Sequence, residues 1–138
     1  MKFFIDCFRK YAAFEVKKIL EPACGSGMYL TAFPQNGYRV TGYDINTKMV
    51  SYAQEKIREA GWSEKAEVLL GDMKTMKFNP QFDAAINPIN SLGYCISDED
   101  IINHFKAMSA SLRPAGIYIV EFTCAFKDVG RPIPGLTS

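Results

Sequence analysis

The stretch Ile19–Leu30, ILEPACGSGMYL, decides how the rest of the chain is read. A short apolar run enters a turn carrying Gly25 and Gly27 and leaves it in a segment of helical character. Glycines at such a turn let the backbone bend and let a ligand approach without a Cβ clash, while the helix that follows aims free N–H groups at an anionic group. Tight turns also use glycine for structural reasons alone, so company decides. The next apolar run, Tyr38–Asp44 (YRVTGYD), ends in an acid 17 residues past Gly27. A doubly wound sheet sets a carboxylate there to accept hydrogen bonds from ribose hydroxyls.

Outward from this unit, short runs rich in β-branched and aromatic residues recur at Lys18–Glu21, Glu67–Leu70, Phe82–Asn87 and Gly116–Phe122. Nearly continuous apolar runs of that length suit strands buried on both faces. Longer segments between them have helical spacing. Met49, Ala53, Ile57 and Ala60 predict an amphipathic helix over Thr47–Ala60, capped by Asn46 and stopped by Gly61. Ile101, Phe105, Met108 and Leu112 predict a second, entered through Ser97 with Asp100 three residues later and ended by Arg113-Pro114. Residues 1–17 read as one helix with Phe8, Tyr11, Ala12 and Glu15 at helical spacing. The alternation predicts an α/β fold: a doubly wound, mostly parallel sheet with right-handed crossovers. Nine residues between Asp72 and Phe82, Asn79-Pro80 among them, are too few for a good crossover helix. Extended they reach about 30 Å against a gap of about 14 Å for three strand spacings, so a loop or single turn suffices.

At 138 residues and 15.5 kDa the chain has the size of one domain, with 48% apolar and 22% charged residues. Those values exclude disordered, collagen-like and coiled-coil classes. The formal net charge of +1 sets up no field that would draw nucleic acid or a membrane surface. Cys7, Cys24, Cys95 and Cys124 are far apart, with no CxxC pair, and one histidine cannot complete a usual zinc set, so no metal is expected. Reduced thiols and a cytoplasmic location are expected. The N-terminal MKFFID is too short for a signal core, and no stretch approaches the roughly 20 apolar residues of a membrane span. The final CAFKDVGRPIPGLTS reads as loop.

Two nucleotide cofactors fit a strand, Gly-turn, helix, strand, acid arrangement. The dinucleotide fingerprint places Gly or Ala where this chain has Leu30, which makes NAD the lesser reading. The chain instead resembles the class I S-adenosylmethionine (SAM) dependent methyltransferases over roughly Val16–Phe122. Their first motif sets an acid four residues before a GxG turn, as Glu21 stands to Gly25 and Gly27. YRVTGYDIN resembles their second strand, LLGDM the end of the third, FDAAINPINSLGY the fourth motif, and LRPAGIYIVEF the fifth strand after a turn where Ala115 replaces the usual Gly.

The resemblance implies a Rossmann-like sheet in order 3-2-1-4-5 with SAM as cofactor. It implies that the backbone of Ala23, Cys24, Gly25, Ser26 and Gly27 holds the methionine part, Asp44 the ribose, Asp72 and Met73 the adenine, and Asn87 the amino group through its carbonyl. Ile45, Met49 and Gly71 complete the implied cofactor set. Glu21 either braces the turn or reaches the amino group through water, and Asp72 taken alone reads first as a turn former.

Asn87-Pro88-Ile89-Asn90 departs at two of four positions from the N-P-P-aromatic motif of adenine and glutamine methyltransferases. NPINSLGY looks more like the small-molecule branch, so a small-molecule acceptor is expected and nucleic acid is not. Asn90, Ser91 and Tyr94 face the transfer site, cap the next helix or pack. No catalytic residue is assigned. His104, inside the second amphipathic helix, reads as exposed or helix-flanking, Cys24 as packing, and Met28, Met49 and Met73 as packing against helices or adenine.

Only 16 residues follow Phe122, too few for the family's closing helix and antiparallel strand pair. One SAM-binding domain over 1–138, truncated at its C-terminus, is therefore expected, with a binding module or fragment lacking independent catalysis as the alternative. Ile117–Val120 lack the Pro, Lys or short length that guard sheet edges, so a homodimer or a partner strand at strand five is expected.

Overall fold

A computed structural model of the chain describes residues 1–88 and 97–121. The strands are β1 (Lys18–Pro22), β2 (Arg39–Asp44), β3 (Ala66–Leu70), β4 (Phe82–Asn87) and β5 (Leu112–Val120). The helices are α1 (Lys2–Tyr11), α2 (Met28–Gln35), α3 (Thr47–Glu59) and α4 (Asp98–Ser111). All four strand pairings are parallel, in the order β3-β2-β1-β4-β5. The expected doubly wound topology is thus present, and no helix lies between β3 and β4. Residues 89–96 and 122–138, which include Ile89, Asn90, Ser91, Tyr94, Phe122 and the final loop segment, lie outside the described residues. Among the described residues no helix is long and apolar enough to cross a membrane.

Alternation along the strands sends side chains to two cores. Ile19, Val40, Val68, Ala84 and Ile86 face Phe4 and Phe8 of α1, Leu30 and Phe33 of α2, and Val50, Ala53 and Ile57 of α3. Leu20, Tyr43, Phe82 and Ala85 face Met108 of α4 and Met73 of the β3–β4 link. Burying a sheet on both faces is what makes its strands near-continuous apolar runs.

Helix starts follow the sequence. The Asn46 side chain accepts from the N–H groups of Lys48 and Met49, and Ser97 Oγ accepts from Asp100 N–H. Their faces do not wholly follow it. In α3, Val50, Ala53 and Ile57 are buried, whereas Met49 and Ala60 are exposed. In α4 the buried positions are His104, Ala107, Met108 and Ser111, and Phe105 is 41% exposed. The expectation of an exposed His104 is therefore corrected: the side chain is fully buried. Polar His104 and Ser111 can be buried because each is hydrogen-bonded; Ser111 Oγ accepts from Phe78 N–H at 2.9 Å and donates to Ala107 O at 2.8 Å.

Two boundaries also differ. The single helix expected over residues 1–17 stops at Tyr11, where Ala12 is extended at ψ 140. Beyond it Asp83, on β4, accepts from the N–H groups of Lys17 and Lys18 at 2.8 and 2.9 Å and from Arg113 at 3.2 Å, which holds the chain extended into β1. The fifth strand begins at Leu112 rather than Gly116. Its register on β4 slips between Phe82↔Leu112 and Ala84↔Ile117, and Ala115 absorbs the slip with φ +66.

Candidate functional site

The C-terminal ends of β1 and β2, flanked by the ends of β3 and β4, converge on the Gly-rich turn. Three contacts shape it. Cys24 N–H donates to Tyr43 O at 3.0 Å, Gly25 N–H donates to Asp44 Oδ2 at 2.9 Å, and Gly27 N–H closes back on Cys24 O at 3.1 Å. The turn lies close over β2, since a Cβ on Gly42 would stand 2.9 Å from Cys24 Sγ. Gly25 and Gly27 both have positive φ, +57 and +81, and Ala23 joins them at +49. They do different work. A Cβ on Gly25 would meet nothing within 4 Å, whereas one on Gly27 would meet Ala53 Cβ at 2.9 Å. Gly25 thus presents bare backbone to open space, and Gly27, the N-cap of α2, lets that helix pack on α3.

Beside the turn lies a cleft of about 990 Å³. Of the residues expected at a site, Glu21, Ala23, Cys24, Gly25, Ser26, Asp44, Ile45, Met49, Gly71, Asp72 and Met73 line it, while Gly27 and Asn87 do not. Met28, Tyr29, Asn46, Lys74 and Pro88 line it as well, and of these the sequence reading pointed only to Met28, as packing against helices or adenine. Met28 and Tyr29 directly follow the GxG, Asn46 sits two residues past Asp44, and Pro88 follows Asn87, so adjacency was an available signal. Lys74 likewise follows Asp72 and Met73 directly.

Asp44 spans two backbone segments. Its Oδ2 accepts from Gly25 N–H and its Oδ1 from Asn46 N–H, both at 2.9 Å, and each oxygen retains a second lone pair. Asp72 is a turn former: Oδ1 accepts from Lys74 N–H at 2.9 Å, and its carbonyl accepts from Thr75 and Met76. It also lines the cleft, so the two readings of this residue coexist. Met28, Ile45 and Met49 are 51%, 68% and 42% exposed on the cleft wall, an apolar surface that the fold leaves uncovered.

Among the described residues, the buried acceptors Glu21 Oε1 and Asn87 Oδ1 have no hydrogen-bond partner. Glu21 is 3% exposed with Oε1 unpaired; burial first, and the charge of Asp44 second, hold its carboxyl well above the ordinary carboxylate range. Asn87, at the end of β4, is fully buried. Its backbone carbonyl accepts from Glu121 N–H at 3.0 Å and its Nδ2 donates to Tyr118 Oη at 3.1 Å, but its Oδ1 is unpaired. Cys24 is buried, and burial first, with Glu21 and Asp44 after it, pushes its thiol far up, which disfavours the thiolate form.

Residues 19–116 match the family described as a methyltransferase domain. The chain belongs to that family. "Putative methyltransferase YqeM" of Bacillus subtilis (strain 168) is 34% identical over 114 residues, 82% of this chain and 45% of that protein. The dTDP-3-amino-3,4,6-trideoxy-alpha-D-glucopyranose N,N-dimethyltransferase of Streptomyces venezuelae is 24% identical over 107 residues, 78% of this chain and 43% of its own length. A crystal structure of a S-adenosylmethionine-dependent methyltransferase from Clostridium acetobutylicum ATCC 824 superimposes with a TM-score of 0.74 at 25% identity, over 86% of this chain and 46% of that one. This methyltransferase-domain chain therefore spans about half the length of the curated relatives it matches. The class I, Rossmann-like fold expected from the five ordered motifs is the fold observed.

Proposed function

We propose that the chain is the SAM-binding domain of a methyltransferase that acts on a small molecule, with residues 1–138 forming one domain. The observation that carries this reading is the Asp44 carboxylate, which ties the bare backbone of Gly25 to the start of α3 on the wall of the 990 Å³ cleft. The residues present fit the cofactor. Asp44 keeps free lone pairs for a ribose diol, and the Gly25 backbone leaves room for the methionine part. Ile45, Met49 and Met73 offer apolar surface to adenine beside Asp72, and Asn87, buried one residue before the cleft-lining Pro88, keeps an unpaired amide oxygen that suits a donor such as the amino group. Ala23, Cys24, Ser26 and Gly71 border the same space, Gly27 supports it from behind, and Glu21 braces its floor.

Bound SAM supplies an activated methyl group. The chain's own residues hold that group in line with an acceptor, and orientation alone can supply much of the rate, so no dedicated base is required. Leu30, fully buried where a dinucleotide site has Gly or Ala, supports SAM over NAD. Likeness to the amino-sugar N,N-dimethyltransferase supports a small acceptor. Free Cys7 and Cys24 support a reducing, cytoplasmic setting. The position of β5 at the end of the strand order, with apolar Ile117 and Ile119, supports self-association along that edge. Mass spectrometry of ligand carried through purification, followed by turnover with labelled SAM and amine-bearing acceptors, tests the reading. Binding without turnover assigns the chain to the alternative, a SAM-binding module.

A further inference from the structure

A buried chain of hydrogen bonds runs from the cleft wall through the second core and back to the end of β4. His104 Nδ1 lies 2.5 Å from the carbonyl oxygen of Met73, a cleft residue, and its Nε2 lies 2.8 Å from Tyr118 Oη. Tyr118 Oη in turn is 3.1 Å from Asn87 Nδ2. A carbonyl can only accept, so Nδ1 carries the ring proton and donates it to Met73. In the neutral ring Nε2 is then an acceptor, and Tyr118 commits its single proton to it. The Tyr118 oxygen has only lone pairs left for Asn87. It can therefore face the amide's NH₂ group and not its oxygen. The Asn87 oxygen is turned away from Tyr118, at the strand end whose next residue, Pro88, lines the cleft. Among the described residues it has no hydrogen-bond partner.

We propose that His104 and Tyr118 are positioning residues that fix the amide of Asn87 with its oxygen as the open acceptor, directed away from Tyr118 and one residue before the cleft-lining Pro88. This end of the site then receives a cationic N–H-bearing group and disfavours an anionic or purely accepting one. The inference deepens the reading in which Asn87 takes the cofactor's amino group, and it rests on that reading. Burial lowers the pKa of His104, which keeps the ring in the neutral form that the directionality needs. A buried acceptor left open is costly, and a tyrosine and a histidine placed only to orient it make sense if a donor arrives there.

His104 is the chain's one histidine, so nitrogen-15 labelling of histidine in the full chain gives a single imidazole to read at neutral pH. The expected spectrum is the Nδ1–H tautomer, and an Nε2–H tautomer overturns the proposal without any variant. Calorimetry of the parent, Tyr118→Phe and Asn87→Ala with S-adenosylhomocysteine and with methylthioadenosine, which lacks the amino-acid part, supplies the second test. Tyr118→Phe is expected to weaken S-adenosylhomocysteine about 3- to 10-fold. Methylthioadenosine is expected to stay within about twofold of the parent. Equal losses for both ligands, or none for either, overturn the positioning role. If Asn87→Ala weakens S-adenosylhomocysteine while Tyr118→Phe does not, the relay is wrong and the Asn87 reading stands. If Asn87→Ala changes neither ligand, that underlying reading fails and takes the relay with it.

Discussion

Gly25 and Gly27 are two residues apart in one turn, both with positive φ, and they separate cleanly by what an added methyl group would touch. Replacing either with Ala forces an L-residue into a left-handed conformation, at about 1–2 kcal/mol. At Gly25 that is the whole cost to the unligated chain, because nothing stands within 4 Å of the new Cβ. At Gly27 the methyl would lie 2.9 Å from Ala53 Cβ and 3.3 Å from Leu30 Cδ1. Ala53 has no rotamer with which to yield, so α2 and α3 must separate, which adds the roughly 1–3 kcal/mol of an overpacked core. Gly25→Ala should therefore lose about 1–2 kcal/mol and Gly27→Ala about 2–5 kcal/mol of stability. Urea unfolding with a common slope measures both. Ligand affinity should respond in the opposite order, because Gly25 lines the cleft and Gly27 does not. Calorimetric affinity for SAM should fall about tenfold or more in Gly25→Ala and much less in Gly27→Ala. Stabilities equal within about 0.5 kcal/mol would refute the close packing of α2 on α3 through Gly27.

Three further outcomes are expected. Asp44→Ala should keep the fold and weaken SAM by about 1.5–3 kcal/mol, read by calorimetry; parental affinity in a folded variant would reduce Asp44 to a turn residue. Glu21 stays protonated in the folded chain at pH values where the unfolded chain, with its ordinary value near 4.5, has ionised. Its contribution is thus fully present below about pH 4.5 and is lost as pH rises toward its raised folded value, at up to about 1.4 kcal/mol per pH unit. Glu21→Gln should flatten that decline in urea titrations, and parallel curves for the two proteins would show that the carboxyl is not buried neutral. Light scattering at several concentrations should show a concentration-dependent dimer of the isolated chain, whereas a strict monomer throughout would remove the β5 edge as an association surface.

Strand positions and their order were legible because a sheet covered on both faces writes itself as short apolar runs, and the Gly-turn with Asp44 marks its ligand end. Asn46 and Ser97 were legible as caps because capping is local chemistry. What escaped depends on distant partners. The extended entry into β1, which the reading of residues 1–17 as one helix missed, is held by Asp83, more than sixty residues away in sequence, bonding the backbone of Lys17 and Lys18. His104 reads as a surface residue until Met73 and Tyr118 are known to satisfy both ring nitrogens. Apolar periodicity selected Phe105 for the inner face of α4, and a buried histidine and serine occupy it instead. Met49 falls on the apolar face of its helix by spacing alone, yet the family resemblance puts it in the cofactor set, and it stands on the cleft wall.

The central claim is that this cleft is a SAM site, and direct calorimetry of the full chain tests it most directly. SAM and S-adenosylhomocysteine should each bind at one saturable site, more tightly than NAD under the same conditions. A folded chain that binds NAD more tightly, or binds neither SAM nor S-adenosylhomocysteine, would contradict the account.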